Sequence, residues 1–200
     1  MTSLIVLRHA QSAWNEVGRW QGSQYDQPLS SHGRQEATKL SLTMPPSWLR
    51  AVVFASPMRR ALETARILRS DVEPHIVGEL SEYDAGEWSG LTVDEIETRW
   101  PGHIRRLNHG ELEMIPGGQV MSEFSERVMK GMKIVDASRD GKPALIITHA
   151  GVVRDLARQL GYPEPFTPVQ LSGVKLRTGT VGYEIIATIA HKRPEEVGSE

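Results

Sequence analysis

The sequence contains no cysteine among its 200 residues, and this absence excludes several kinds of chemistry. Disulfides, thiolate metal sites and cysteine nucleophiles all need that sulfur atom, so none of them can operate in this chain. Aromatic residues make up only 6% of the chain. No apolar run approaches the ~20 residues of a membrane-spanning helix. We therefore expect no signal peptide, no membrane association and, by default, a cytoplasmic protein.

The chain also lacks an excess of charge of either sign. Its 23 basic and 25 acidic residues leave a formal net charge of -2. A nucleic-acid-binding protein depends on a basic face, so we expect no nucleic-acid partner. The length and the 39% hydrophobic content suit one full-sized core. We predict a single domain over residues 1–190, followed by a tail over residues 191–200.

Several motifs of hydrolytic and nucleotide-binding proteins are missing as well. The sequence has no GxSxG nucleophile elbow, no GxxxxGK[ST] phosphate loop and no HExxH zinc motif. No Asp-x-Asp pair follows a predicted strand, which argues against a metal-assisted aspartyl-phosphate mechanism. We therefore expect no metal site and no cofactor.

Short β-rich runs alternate with segments of helical period along the chain. This alternation predicts a three-layer α/β/α sandwich around a mostly parallel central sheet. The stretch of about residues 100–119 is rich in proline and glycine, and we predict an irregular cover over an active site there. The predicted strands are Leu4–Leu7, Ala51–Ala55, Ile76–Leu80, Ala144–Thr148 and Tyr183–Ile189.

Cationic and imidazole side chains follow three of these strands directly. The first strand ends in Arg8 and His9, and the fourth ends in Thr148 and His149. The second leads through SPMRR into a helix that begins near Arg60. Because ligands of parallel sheets bind beyond the carboxyl ends of the strands, these groups should converge on one rim. Guanidinium groups and helix N-termini at such a rim would attract a phosphate dianion.

A histidine surrounded by cations stays neutral near neutral pH, because like charge disfavours its protonation. A neutral imidazole can attack phosphorus and divide phosphoryl transfer into two easier steps through a phosphohistidine. The leaving oxygen then needs a proton. Glu82, in the segment SEYDAGEWSG after the third predicted strand, is the best candidate donor.

Five segments in order resemble the histidine phosphatase superfamily, the phosphoglycerate-mutase-like proteins. They are RHAQSAWN, RWQGSQYDQPLSSHGRQEA, SPMRRALETA, EYDAGEWSGLT and THAGVVR. The resemblance implies a phosphoglycerate-mutase-like fold and assigns roles to residues of this chain. His9 would be the phosphorylated nucleophile, Glu82 the general acid and base, and Arg8, Arg60 and His149 the groups that bind the phosphoryl oxygens.

The resemblance also implies a substrate-binding set and shows where this chain departs from the family pattern. Asn15 would add a hydrogen bond to the substrate. The rest of the predicted substrate-binding set is Gln21, Gly22 and Ala150. The departures are Ala10 and Ala150 in place of glycines, Ser89 in place of glutamate, and Gln119, which removes a carboxylate. None of them removes a predicted catalytic group.

We favour a metal-independent phosphomonoesterase that hydrolyses a small phosphorylated metabolite. Gln21 supports this choice, because the mutases resemble one another in having a small hydroxyl residue there. The alternatives are a cofactor-dependent phosphoglycerate mutase and a non-catalytic module that binds a phosphorylated ligand. Arginines at the cavity mouth would favour an acidic substrate, and tryptophans an apolar one. The arginines in question are Arg59, Arg105 and Arg106, and the tryptophans are Trp14 and Trp20.

Overall fold

The computed structural model describes residues 3–163, 165–179 and 182–190, and this part of the chain forms six strands and eight α-helices. Two single 3₁₀ turns, Gly78–Leu80 and Gly86–Trp88, lie between the third strand and the fifth helix. The strands are β1 (Ser3–Arg8), β2 (Val52–Ala55), β3 (His75–Ile76), β4 (Ala144–Thr148), β5 (Gly173–Gly179) and β6 (Gly182–Ile189). The helices are α1 (Ala13–Glu16), α2 (Ser31–Thr43), α3 (Pro46–Leu49), α4 (Arg59–Leu68), α5 (Val93–Arg99), α6 (His103–His109), α7 (Met121–Ser138) and α8 (Ala150–Gln159).

The six strands form one sheet in the order β3-β2-β4-β1-β5-β6. Strands β1 to β4 are mutually parallel, whereas β5 pairs antiparallel with both β1 and β6. The register of the central pair places Arg8 opposite Thr148. The residues that follow these two strands, His9 and His149, therefore emerge side by side at one edge of the sheet. The predicted fold class, with its mostly parallel sheet, is confirmed.

Both faces of the sheet are covered by helices because the central strands are apolar on both sides. In β1, Leu4 and Val6 belong to one buried cluster, and Ile5 and Leu7 belong to another. The first cluster is completed by α7 and α8, whose buried side chains repeat at helical spacing. The second cluster is completed chiefly by α4. Burial on both faces holds β1 and β4 rigidly at the centre of the molecule.

One predicted strand needs correction, and one strand was missed. Of the predicted strand Ile76–Leu80, only Ile76 lies in β3, and residues 78–80 form a 3₁₀ turn that buries Leu80. In addition, β5 was not predicted. Its pattern alternates buried Val174 and Leu176 with partly exposed Lys175 and Arg177, which is the pattern of a strand covered on one side.

The stretch of residues 100–119 is less irregular than predicted, because it contains α6. Gly102 and Gly110 flank this helix with φ angles of 76° and 73°, a left-handed conformation that glycine adopts without strain. Glycines that indicated a loop are therefore the caps of a helix. The predicted tail of residues 191–200 lies outside the described residues. No helix in the described ranges has the length and apolar character needed to cross a bilayer.

Candidate active site

Two histidines form the centre of the site, and the sheet register places them together. The backbone N–H of His9 donates to the carbonyl of Thr148 at 2.8 Å, which continues the β1–β4 ladder by one residue. The ring centroids of His9 and His149 are 5.3 Å apart, in an edge-on arrangement. Both side chains are almost completely buried, with 3% and 0% exposure. Strand ends thus fix both rings from the backbone.

Of the two ring nitrogens of His9, Nε2 is the one that carries the lone pair. Its Nδ1 lies 2.6 Å from the carbonyl oxygen of Ala10, which can only accept a hydrogen bond, so Nδ1 carries the proton. Nε2 in turn accepts a hydrogen bond from Nε of Arg60 at 3.1 Å. Burial, together with the charges of Arg60 and Arg8, holds the pKa of His9 well below its ordinary 6.5. The ring is therefore neutral and its Nε2 is nucleophilic near pH 7.

Arg60 lies in the first turn of α4 and is 1% exposed. Besides its contact with His9, it donates from Nη2 to the carbonyl of Gly22 at 2.9 Å. Its Nη1 is buried and has no hydrogen-bond partner among the described residues. Burial lowers the pKa of this guanidinium to about 10, so it remains charged at neutral pH. An oriented, partnerless donor on a buried cation is suited to an anionic oxygen.

Arg8 and His149 extend the cationic and polar surroundings of His9. Arg8 donates from Nη1 to the carbonyl of Pro168 at 2.9 Å and lines the same cavity as His9. His149 Nε2 lies 2.7 Å from Oγ of Ser56, whereas its Nδ1 is buried without a partner in the described ranges. Burial, and next the charge of Arg60, lowers the pKa of His149 well below 6.5. Both imidazoles are thus neutral.

Glu82 also lines the cavity. Its Oε1 accepts the N–H of Tyr83 at 3.2 Å, and its Oε2 accepts the N–H of Gly151 at 3.0 Å. Gly151 is required at this contact, because a Cβ there would lie 2.2 Å from Oε1 of Glu82. Two backbone donors therefore hold the carboxylate in a defined position on the wall of the cavity that His9 also lines.

The cavity around these groups has a volume of about 270 Å³. Its lining includes Arg8, His9, Arg60 and Glu82 of the predicted catalytic set, and His149 packs against His9 without lining the cavity. Thus the structure brings all five residues together. The remaining wall is Asn15, Arg19, Trp20, Gln21, Gly22, Tyr83, Ile104, Asn108, Ala150, Arg154, Thr167 and Pro168.

All four residues predicted to bind substrate also line this cavity. Oε1 of Gln21 accepts the hydroxyl of Ser12 at 2.8 Å, which leaves its buried Nε2 without a partner in the described structure. Asn15 is held through its Oδ1, which accepts the backbone N–H of Ser12 at 3.2 Å. Gly22 has a φ of 58°, and a Cβ there would lie 2.5 Å from that of Ala85. Ala150 is the first residue of α8.

Of the four family departures, Ala150 lines the cavity, and Ala10, Ser89 and Gln119 do not. Ala10 packs with Leu29, Ala37 and Leu171, so its methyl group points into a small apolar cluster and not toward the cavity. Oε1 of Gln119 accepts from Nη2 of Arg127 at 3.1 Å. That arginine also donates to the backbone carbonyls of Glu79, Ser81 and Glu82, so Gln119 contacts the segment that carries Glu82. Ser89 has a buried Oγ with no partner among the described residues.

The sequence offered a set of arginines and a set of tryptophans for the mouth of the cavity, and the structure matches neither set in full. Arg59 pairs with Glu63, and Arg105 pairs with Glu111; neither they nor Arg106 line the cavity. Trp14 also lies away from it and stacks on Tyr25. Trp20 does line the mouth, and two unpredicted arginines, Arg19 and Arg154, share it. The mouth thus combines an aromatic wall with two cations.

Sequence reasoning missed Arg154, Asn108, Tyr83 and Gly151. Arg154 follows Ala150 by one helical turn of α8, so its spacing in THAGVVR was an available signal. It donates from Nη1 to Oδ1 of Asn108 at 2.8 Å and thereby connects α8 to α6. The indole of Trp20 donates to the hydroxyl of Tyr83 at 3.1 Å. Burial raises the pKa of Tyr83 to about 12, so its hydroxyl stays protonated.

The described residues contain no group of three or more histidine and carboxylate side chains arranged to hold a metal ion. What they do contain is a neutral nucleophilic nitrogen, a buried guanidinium and a carboxylate on one small cavity. Three buried nitrogens of this region have no hydrogen-bond partner in the described structure: Arg60 Nη1, Gln21 Nε2 and His149 Nδ1. Such a constellation can bind a tetrahedral anion and transfer a phosphoryl group to His9.

The chain belongs to the histidine phosphatase superfamily (branch 1), whose family model matches residues 4–171. The resemblance predicted from the sequence motifs is therefore confirmed. Because the members it resembles are phosphatases and phosphoglycerate mutases, the family supports a phosphatase-type enzyme.

Two curated proteins and one solved structure illustrate this similarity. Phosphoserine phosphatase 1 of Hydrogenobacter thermophilus is 29% identical over 157 residues, 77% of this chain and 74% of that protein. The 2,3-bisphosphoglycerate-dependent phosphoglycerate mutase of Parvibaculum lavamentivorans is 29% identical over 194 residues, 91% and 90% of the two chains. A mycobacterial glucosyl-3-phosphoglycerate phosphatase shares the fold, with a TM-score of 0.81 and 24% identity over 96% of this chain and 100% of its own.

Proposed function

We propose that this protein is a metal-independent phosphomonoesterase that works through a phosphohistidine on His9. The observation that carries the proposal is the hydrogen bonding of that ring. Nδ1 is committed to the carbonyl of Ala10, so the neutral ring offers Nε2 to the cavity beside the guanidinium of Arg60. His9 is the one histidine that the described structure places on the cavity wall.

In the first step, Nε2 of His9 attacks phosphorus and the bond from phosphorus to the leaving oxygen breaks. Glu82, protonated for this step, gives its proton to that oxygen, and the product alcohol departs. Arg8 and Arg60 hold the charged phosphoryl oxygens, so little rearrangement of charge is needed as the new bond forms. Protonation of the leaving oxygen avoids the release of a basic alkoxide.

In the second step, water attacks the phosphohistidine and releases inorganic phosphate. Glu82, now a carboxylate, accepts a proton from the attacking water, and the electron pair of the nitrogen–phosphorus bond returns to Nε2. Glu82 is then protonated and His9 is neutral, as at the start. The backbone donors of Tyr83 and Gly151 suit the carboxylate form that this step requires.

The mouth of the cavity favours a small substrate whose leaving group carries a carboxylate. Arg19 and Arg154 supply two cations there, and Trp20 supplies an aromatic wall. Phosphoserine, the substrate named for one relative, has a carboxylate of this kind close to its phosphate. We propose that these substrates are hydrolysed faster than phosphomonoesters of similar size whose leaving group is uncharged, because a carboxylate can pair with one of these arginines.

Rapid quenching tests the phosphohistidine directly. The protein would be mixed with a ³²P-labelled aryl phosphate and quenched in alkali within milliseconds. We expect acid-labile radioactivity on the wild-type protein and none on His9→Ala. His109→Ala, which changes an exposed histidine outside the cavity, is the matched control and should be labelled normally. A wild-type protein that turns over without any labelled adduct would refute the mechanism.

The mutase alternative remains worth a test because of the similarity to a phosphoglycerate mutase over most of the chain. The protein would be incubated with 3-phosphoglycerate and 2,3-bisphosphoglycerate. We expect phosphate release to exceed formation of 2-phosphoglycerate, and the opposite ratio would establish a mutase. Absence of turnover on p-nitrophenyl phosphate and on both phosphoglycerates, from acidic to neutral pH, would favour a non-catalytic binding module.

A further inference from the structure

Ser56 lies directly behind the second histidine and has no place in the mechanism described so far. It is the first residue after β2, it is 0% exposed, and it does not line the active-site cavity. Its backbone N–H donates to the carbonyl of Ile147 at 3.0 Å, so the sheet fixes its position. Its hydroxyl oxygen lies 2.7 Å from Nε2 of His149.

The hydroxyl of Ser56 has one proton, and its contacts offer that proton one acceptor. Its oxygen accepts the backbone N–H of Met58 at 3.3 Å. The only other partner of this oxygen among the described residues is Nε2 of His149. A serine hydroxyl donates one hydrogen bond, and His149 is here the one group able to accept it. Nε2 is therefore the acceptor nitrogen, and in a neutral ring Nδ1 carries the proton.

His9 and His149 then have the same tautomer, with the proton on Nδ1, but a different nitrogen of each ring is left for a bound phosphoryl group. In His9 the protonated Nδ1 is tied to the carbonyl of Ala10, and the lone pair of Nε2 faces Arg60. In His149 the lone pair is tied to Ser56, and the protonated Nδ1 is left over. That Nδ1 is buried and has no partner in the described structure. A buried donor of this kind requires an acceptor, and a phosphoryl group bound at His9 would supply one.

We propose that Ser56 is a positioning residue that holds His149 as the Nδ1–H tautomer, so that this ring donates a hydrogen bond to a phosphoryl oxygen at His9. The proposal rests on the proposed function, because it takes the phosphoryl group at His9 as the acceptor. With the other tautomer the lone pair of Nδ1 would face anionic oxygens and repel them. Ser56 thus makes the second histidine a hydrogen-bond donor without requiring it to carry a positive charge.

The tautomer can be read from the nitrogen spectrum without any turnover. The chain has seven histidines, so ¹⁵N-histidine labelling gives a small set of signals, and their loss in His149→Gln assigns the pair that belongs to His149. In the wild type we expect a pyrrole-type Nδ1 and a pyridine-type Nε2 for this residue. A pyridine-type Nδ1 in the wild type would overturn the proposal, whatever the activity of any variant.

Variants at position 56 test whether the serine sets that tautomer and whether the tautomer matters for binding. Ser56→Ala should give signals of both tautomers for His149. It should weaken binding of orthovanadate, a phosphate analogue, by about tenfold, the size expected for one hydrogen bond to an anion. Ser56→Thr keeps the hydroxyl and should restore both readouts. Ser30→Ala is the matched control, because it removes another buried hydroxyl, which caps α2 and contacts neither imidazole.

The outcomes separate this proposal from the proposed function. Unchanged His149 signals in Ser56→Ala, with or without a loss of stability, would mean that the serine has only a structural role. Altered signals with unchanged vanadate affinity would show that the tautomer does not serve the bound anion, and would also refute the proposal. Failure to trap a phosphohistidine would instead refute the catalytic mechanism and leave the tautomer and vanadate results unaffected. If Ser56→Ala did not fold, the wild-type spectrum and Ser56→Thr would still decide.

Discussion

The two ends of the active-site cavity are built from different parts of the fold. At the phosphate end, His9 and His149 follow paired central strands, and Arg60 begins a helix that packs on the sheet. At the mouth, Arg19 and Trp20 come from the segment after α1, and Arg154 comes from α8, where it is bonded to Asn108 of α6. Buried strand ends hold the groups that react, whereas loops and peripheral helices contact the leaving group. Chemistry and specificity therefore reside in separable parts of the structure.

The largest effect should come from removing the nucleophile at the phosphate end. His9→Ala should lower kcat/KM by at least about 10⁴-fold on every substrate, because no other group on the cavity wall replaces the imidazole. Steady-state assays on an aryl phosphate and on phosphoserine would measure it. If the loss were large on one substrate and small on the other, the two ends would not be separable as described.

Replacement of Glu82 should affect the two classes of leaving group unequally. Glu82→Gln should slow phosphoserine by about 10²- to 10⁴-fold, because an alkoxide needs its proton, and p-nitrophenyl phosphate by much less. The measurement is the ratio of kcat/KM values on these two substrates. Glu79→Gln, which changes a carboxylate paired with Lys130 outside the cavity, should leave the ratio unchanged. Equal losses on both substrates would rule out Glu82 as the acid.

Arg154→Met tests the mouth of the cavity alone. It should reduce kcat/KM on phosphoserine by about 10- to 100-fold through loss of a charged hydrogen bond, and should change p-nitrophenyl phosphate turnover little. Arg158→Met is the matched control, since Arg158 lies one turn further along α8 and outside this cavity. An equal loss on both substrates would assign Arg154 to the phosphate end instead.

A further predicted effect concerns stability and not rate, and it belongs to the phosphate end. The pKa values of His9 and His149 lie well below 6.5 in the folded protein, because of burial and the charge of Arg60. As the pH falls below about 6.5 the unfolded chain therefore binds protons that the folded chain does not. Stability should fall with decreasing pH, by up to about 1.4 kcal/mol per pH unit for each of these histidines.

Thermal melts between pH 7.5 and pH 5 would measure this dependence. The double variant His9→Gln, His149→Gln should show a shallower decline in Tm with falling pH. His109→Gln, at an exposed position, should decline as steeply as the wild type. A double variant with an unchanged pH dependence would show that other groups control stability in this range.

The phosphate end could be predicted from the sequence because strand ends leave a strong signal. A β-rich run that stops on Arg8 and His9 indicates a polar site at the carboxyl edge of a sheet, and Thr148-His149 repeats the pattern. The parallel pairing of β1 and β4 then brings the two sites together. Glu82 was harder to place, because it follows a 3₁₀ turn and not the predicted strand.

Of the mouth, the sequence anticipated only Trp20, and Arg154 was missed although it lies on the periodic helix α8. The region around α6 contains several glycines and prolines, which indicated a loop, although Gly102 and Gly110 cap a helix that delivers Asn108. Arg105 and Arg106 were among the arginines that the sequence offered for the mouth. In the structure Arg105 pairs with Glu111 on the surface, and Arg106 bonds the backbone carbonyl of the same residue.

The pairing of β1 with β4 and β5 also constrains when the protein can become active during its synthesis. β1 is synthesised long before its two neighbours in the sheet, which begin at Ala144 and Gly173. A nascent chain that ends before these residues leaves both edges of β1 unpaired and lacks His149. Contacts this distant along the chain form late and slowly. A product that ends before Ala144 would therefore lack His149 and both sheet neighbours of β1, and could not assemble the phosphate site.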